Sequence, residues 1–254
     1  MSTAELPCED AALHRRRCYL VRHGDVSYFD SDGKPVDPRT VELSERGVHQ
    51  VSELARTLQG VVFERAICSD YPRAIQTGEM LLGEQKAMLE QTSALREIRA
   101  GRLRDINAHE RCNRICYAYE TIDEVDGTFL GGERWDLFET RVLEQLHRLL
   151  SEPGWTSLLI VSHDAVNRML LAWAMGGDRR IAKSLEQDAA CLDIIDIDMA
   201  GPHVVRRLIR MINLTPYDLC KLFEPCTVME RIHMQFSIPT SPARDHLEPE
   251  REQS

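Results

Sequence analysis

Three short apolar runs, each followed at once by an amphipathic stretch, restrict this chain more than any other feature of its sequence. CYLVR (18–22), RAICS (65–69) and SLLIVS (157–162) are continuous rather than alternating, the pattern of strands buried on both faces. Behind the first, SERGVHQVSELARTL carries Val48, Val51, Leu54, Ala55 and Leu58 at helical spacing after a serine cap. Behind the second comes YPRAIQTGEMLL, and behind the third DAVNRMLLAWAMGG, which stops at Gly176-Gly177. Strands alternating with helices predict an α/β fold with a mainly parallel central sheet flanked by helices. ACLDIIDID and HVVRRLIRMI add two more strands, joined by a turn at Gly201-Pro202.

A chain of 254 residues can bury one sizeable core. Residues 98–150 are mostly helical in character, and LGGERWDLFETRVLEQLHRLL is their clearest amphipathic helix. Residues 214–237 add a short helix that the sequence does not place, and 238–254, rich in proline and charge, are expected to be disordered.

Charge and cysteine usage exclude several classes of function. With 31 Lys and Arg against 41 Asp and Glu the net charge is −10, so no nucleic-acid surface or membrane patch is expected, and any positive site is local. SLLIV and MLLAWAM fall far short of a membrane span. No secretory pattern opens the chain and its eight cysteines include no C-x-x-C pair, so reduced thiols and a cytoplasmic location are expected. His109, Cys112 and Cys116 share a helix face with metal-like spacing, but a zinc site on one helix needs a fourth ligand and usually a second element, and none is identifiable. The trio is read as structural, with no metal or cofactor expected.

In open parallel sheets ligands bind beyond the carboxyl ends of the strands. Arg22 and His23 follow the first strand, Ser69 and Arg73 the second, and His163 the third. Guanidinium groups pair with phosphate oxygens, and His163 opens a helix whose free amides attract anions. An anion site for phosphate is the expectation.

The segments LVRHG, LSERGVHQVSELA, ICSDYPRAIQT, LREIRAGRL, GGERW, IVSHDAVNR and INLTPYDL together resemble, in order, the blocks of the histidine phosphatase superfamily, whose fold is phosphoglycerate mutase-like. The resemblance implies a histidine phosphatase domain over 17–218, with a helical insertion (98–150) covering the site, between an N-terminal extension (1–16) and a C-terminal tail (219–254). It implies that His23 is the nucleophile that becomes a phosphohistidine, that Arg22, Arg73 and His163 hold the phosphoryl oxygens, and that Glu97 is the proton donor. The chemistry needs these residue types: a neutral imidazole can attack phosphorus, and positive groups stabilise charge on the equatorial oxygens. The two arginines and two histidines are expected to supply that positive field in place of a metal.

The implied activity is a metal-independent phosphomonoesterase acting on a small phosphorylated metabolite. Mutase-type phosphoryl transfer is the first alternative; residues 98–132 contain no proline, where that branch carries a proline run. A non-catalytic phosphate-ligand or partner-binding module is the second. Where the family commonly has RHG-E-T-x-x-N, this chain has Asp25, Val26 and Phe29, leaving Ser27 as either a candidate substrate-binding hydroxyl or a plain turn serine. Asp164 replaces the usual glycine after His163 and is expected to point away from the anion site. Six arginines lie at 96, 99, 102, 104, 111 and 114; they form either a solvated face or, through residues such as Arg99 and Arg102, a site for a second anionic group. A homodimer is the candidate assembly.

Overall fold

The computed structural model describes residues 13–30, 32, 34–222 and 225–237, without the side chains of 104, 236 and 237. The expected disorder of 238–254 lies outside these residues. Six strands form one sheet: β1 (His14–Arg22), β2 (Arg65–Ser69), β3 (Leu89–Thr92), β4 (Ser157–Ser162), β5 (Leu192–Ala200) and β6 (His203–Leu214), ordered β3-β2-β4-β1-β5-β6. The first four in that order are parallel; β5 runs antiparallel to β1, and β6 antiparallel to β5. This is the mainly parallel sheet the sequence implies.

Strand β1 starts at His14, inside the segment expected to be an extension. The polar run His14-Arg15-Arg16-Arg17 hides a strand because β5 is acidic opposite it. Arg17 makes paired bonds to Asp196 at 2.6 and 2.9 Å, and Arg15 bonds Asp198 at 2.7 and 3.2 Å. Arg16 points to the other face, where its guanidinium lies 4.4 Å from the Trp155 ring.

Alternation along the central strands builds two cores. Leu158 and Ile160 face one way, with Leu20 and Ile67, against α4 (Trp135–Ser151) and α5 (Asp164–Ala174). Leu159 and Val161 face the other way, with Val21 and Ala66, against α1 (Glu45–Thr57) and α2 (Pro72–Leu82). All of α5 is buried, which is why its sequence is apolar on nearly every face. Within the helical stretch predicted over 98–150, α4 belongs to the core: Trp135, Phe138, Val142 and Leu146 are all buried in it. The short α3 (Ala108–Cys116) and the turns beside it flank the site instead. The helix left unplaced is α6 (Val228–Ser237), which packs on α3.

Register then fixes the site. Arg22 pairs with Ser162, and Cys68 with Val161, so β1, β4 and β2 end in one line. Three loops leave from that line.

Candidate active site

His23 is the first residue beyond β1, and its backbone is held on both sides. Its N–H donates to the Ser162 carbonyl at 3.0 Å, and its carbonyl accepts from Ala190 N at 3.0 Å. Gly24 follows because α1 passes against it: a Cβ there would lie 2.7 Å from the Gly47 carbonyl oxygen, and one on Gly47 would lie 2.2 Å from that of Asp25. The glycine of the Arg-His-Gly run is thus a packing requirement. Ser44 caps α1, accepting from Gly47 N at 3.0 Å and donating to Asp25 Oδ2 at 2.8 Å.

Arg73, in the first turn of α2, joins the two histidines. Its Nε donates to His23 Nε2 at 3.1 Å and its Nη2 to His163 Nδ1 at 3.4 Å. Arginine only donates, so both ring nitrogens carry a lone pair. The other nitrogen of each ring is then the donor: His23 Nδ1 to the Gly24 carbonyl at 2.7 Å, and His163 Nε2 to Ser69 Oγ at 2.8 Å. The rings lie 5.1 Å apart. Burial, then Arg73, holds the pKa of each well below that of free histidine. Both are therefore neutral at pH 7, which corrects the expectation that two histidines add to the positive field. The cations are Arg22 and Arg73.

Arg22 donates through Nη1 to the Gln187 carbonyl at 2.7 Å. Its Nε is buried with no hydrogen-bond partner, a donor suited to an incoming anion. Gln187 is held in turn by Asn167 at 3.0 Å and Asp193 at 2.9 Å. None of these three partners stands out in the sequence.

Glu97 lines the same cavity as Arg22 and Arg73. Its Oε1 accepts from Ile98 N at 3.0 Å and from Ala165 N, in the first turn of α5, at 3.2 Å. Burial, reinforced by the charge of Asp164, pushes its pKa up to about 7, against the lowering pull of Ile98 N, Arg22 and Arg73. The segment is braced from behind by Arg141, whose guanidinium reaches the carbonyls of Ala94 at 2.9 Å, Arg96 at 2.8 Å and Glu97 at 3.2 Å. Glu133, in the GGERW block, pairs with Arg141 at 2.9 Å.

Asp164 does not point away. It is buried and lines the cavity, where its carboxylate accepts from Tyr119 Oη at 2.8 Å and Arg168 Nε at 2.7 Å. Those two partners make its burial tolerable, as a buried charge requires.

The cavity has a volume of about 630 Å³. Tyr28, Tyr71, Leu103, Phe129 and Leu130 give it apolar walls. Of the six sequence arginines between 96 and 114, Arg99 and Arg102 line it. Arg96 instead pairs with Asp70 at 2.6 Å, and the Arg104 side chain is outside the described residues. Ser27 is not on the cavity wall; its hydroxyl donates to the Phe29 carbonyl at 2.8 Å, within its own turn. His23 borders a small cleft that shares Arg22 and Tyr28 with this cavity, and both histidines meet the cavity wall through Arg73. The irregular stretch 96–102 therefore brings Glu97, Arg99 and Arg102 to the strand-end cluster, while Ser27 stays outside it. Among the described residues, no helix is long and apolar enough to cross a membrane.

The chain is 27% identical over 193 residues to an adenosylcobalamin/alpha-ribazole phosphatase of Escherichia coli, covering 72% of this chain and 90% of the relative. It is 24% identical over 220 residues to a broad-specificity phosphatase of Saccharomyces cerevisiae, covering 81% and 91%. The crystal structure of a putative alpha-ribazole-5'-P phosphatase from E. coli superposes with a TM-score of 0.63 at 25% identity, covering 78% of this chain and 96% of that one. The native structure of a mycobacterial glucosyl-3-phosphoglycerate phosphatase shares the fold, with a TM-score of 0.64 at 21% identity over 79% of this chain and 99% of that one. The family model for the histidine phosphatase superfamily (branch 1) matches residues 18–209. The chain belongs to the histidine phosphatase superfamily, branch 1, and is an enzyme of the phosphatase class.

Proposed function

We propose that the chain hydrolyses phosphomonoesters of small metabolites through a phosphohistidine at His23, with Glu97 as proton donor and without a catalytic metal. The observation that carries this reading is the pairing of a neutral imidazole, whose Nε2 lone pair faces Arg73, with a carboxyl held near neutrality beside the same arginines.

As the phosphoryl group enters, Arg73 Nε exchanges His23 for a phosphoryl oxygen, and Arg22 Nε gains the acceptor it lacks. His23 Nε2 attacks phosphorus; the P–N bond forms as the P–O bond to the leaving group breaks. The departing oxygen takes the proton of Glu97. The resulting carboxylate removes a proton from water, whose oxygen forms a new P–O bond as the P–N bond breaks. Inorganic phosphate leaves with His23 neutral and Glu97 protonated. Neutral His163, fixed by Ser69, becomes a donor to phosphate on taking a proton from solvent as the dianion binds, and returns it to solvent when inorganic phosphate leaves.

The apolar walls and the paired arginines Arg99 and Arg102 suit a monoester with a bulky, partly aromatic body and a second anionic group. The likeness to alpha-ribazole phosphatases makes alpha-ribazole phosphate the first member of a test panel, alongside sugar phosphates and aryl phosphates. Phosphate release from that panel by wild type and His23→Ala is the test. Turnover lost in the variant, and indifferent to added magnesium in wild type, supports the reading; turnover retained in the variant defeats it. The same chemistry suits the cytoplasm, where such metabolites and reduced thiols coexist.

A further inference from the structure

Cys112 and Cys116 do meet a histidine, but it is His233 of α6 and not His109 of their own helix. The two thiols are four residues apart on α3, and their sulfurs lie 4.0 Å from each other. One ligand atom from each of Cys112, Cys116 and His233 lies within 4.8 Å of the others, the one such group among the described residues. The second element that the sequence could not supply is therefore present, in a helix 117 positions further along the chain (233 − 116).

We propose that Cys112, Cys116 and His233 bind one zinc ion that ties α6 to α3. Tetrahedral zinc holds thiolates at about 2.3 Å and imidazole at about 2.0 Å, which sets two sulfurs about 3.8 Å apart; the present spacing needs only small side-chain movement. Two sulfurs and a nitrogen are a borderline-soft donor set that selects zinc over magnesium or calcium. Three protein ligands leave the fourth position to water. The ligands are half-buried or exposed, so the ion has an entry path.

The site bears on the cavity because α6 forms part of its wall. Val228, Met229 and Ile232 line the main cavity, and Val228, Arg231 and Ile232 also border the small cleft that reaches His23. Helices α3 and α6 pack against each other. Zinc bound there crosslinks the two helices and holds the wall closed on a bulky substrate. The metal site stands apart from the phosphatase reading; only its effect on turnover rests on it.

The test is zinc content and cobalt substitution of the reduced full chain, with wild type compared with Cys112→Ser/Cys116→Ser, His233→Asn and His23→Ala. The proposal expects one zinc per chain, thiolate-to-cobalt charge-transfer absorption, and at least tenfold weaker binding in His233→Asn. It expects both signals to vanish in the double serine variant and to persist in His23→Ala. Hydrogen exchange across 228–237 should slow when zinc is added to wild type and stay unchanged in the double variant, whose fold is checked by circular dichroism. Zinc binding that survives the double variant, or disappears only in His23→Ala, overturns the proposal whatever the enzyme's activity proves to be.

Discussion

Arg73 Nε donates to His23 Nε2 at 3.1 Å, so one guanidinium fixes the imidazole with its free lone pair turned toward the pocket cation. The Gly24 carbonyl holds the opposite ring nitrogen. Orientation and tautomer are thus set before any substrate arrives, which is how a positioned nucleophile avoids an entropic cost in the reaction. Arg73→Ala should lower kcat/KM by about a hundredfold, or ~3 kcal/mol of transition-state stabilisation. Arg73→Lys should recover only part of that, because an ammonium lacks the fork that reaches both histidines. Steady-state kinetics on an aryl phosphate checks both.

Glu97→Gln removes a proton donor while keeping its shape. Esters of poor leaving groups should lose on the order of a hundredfold or more in kcat, and activated aryl phosphates much less, because only the former need protonation. A leaving-group series measures the difference; equal losses would remove Glu97 from the first step.

The carboxyl of Glu97 is pushed up to about 7 by burial and by Asp164, and a proton donor works only while protonated. Turnover of alkyl esters should therefore fall as pH rises through about 7. Protonation removes the lone pair of the nucleophile His23, and its pKa, held well below that of free histidine, places the acid limb lower still. Asp164→Asn removes the neighbouring charge but not the burial, so the alkaline limb should move to lower pH without disappearing. An unmoved limb would mean that Asp164 does not act on Glu97.

Asp193 is buried behind Arg22's support, and burial pushes its pKa up to about 7. Its folded-state pKa lies above the unfolded value, so its neutral form favours folding. That stability is fully present below pH about 4 and is lost as pH rises through about 7. Asp193→Asn should flatten the fall in melting temperature between pH 5 and pH 8, measured by calorimetry. Glu97 contributes a fall of the same sign, which the variant leaves in place.

Neutralising Arg99 and Arg102 together should erase a preference for doubly anionic monoesters, each contact adding about 1.5 kcal/mol where it forms. Simple aryl phosphates should be turned over as before, and the wild-type preference should shrink with salt. A preference that survives the double substitution assigns both arginines to solvent.

Much of this was legible in the chain because the signals are local. The runs at 18–22, 65–69 and 157–162 carry their strand character in consecutive residues, and the strand ends place Arg22, Ser69 and His163 together. What stayed hidden depends on partners far away. His14–Arg17 is a strand only because Asp196 and Asp198 face it, and β3, Leu-Glu-Gln-Thr, has no apolar pattern. Asp164 could be read as turned outward because Tyr119 and Arg168, which satisfy it, carry no motif. The neutral state of His23 and His163 follows from burial and from Arg73, neither of which composition reveals. Of the two readings of Ser27, substrate hydroxyl or turn serine, the structure favours the second, because its own turn uses the hydroxyl.

The central claim is the covalent step at His23. Rapid acid-free quenching of enzyme mixed with a radiolabelled phosphomonoester, followed by peptide mapping, tests it most directly. The account predicts an acid-labile, base-stable phosphoryl group on the peptide containing His23, formed within one turnover, absent in His23→Ala and accumulating when Glu97→Gln slows the attack of water. Full turnover with no label on His23, or label on another residue, would contradict it.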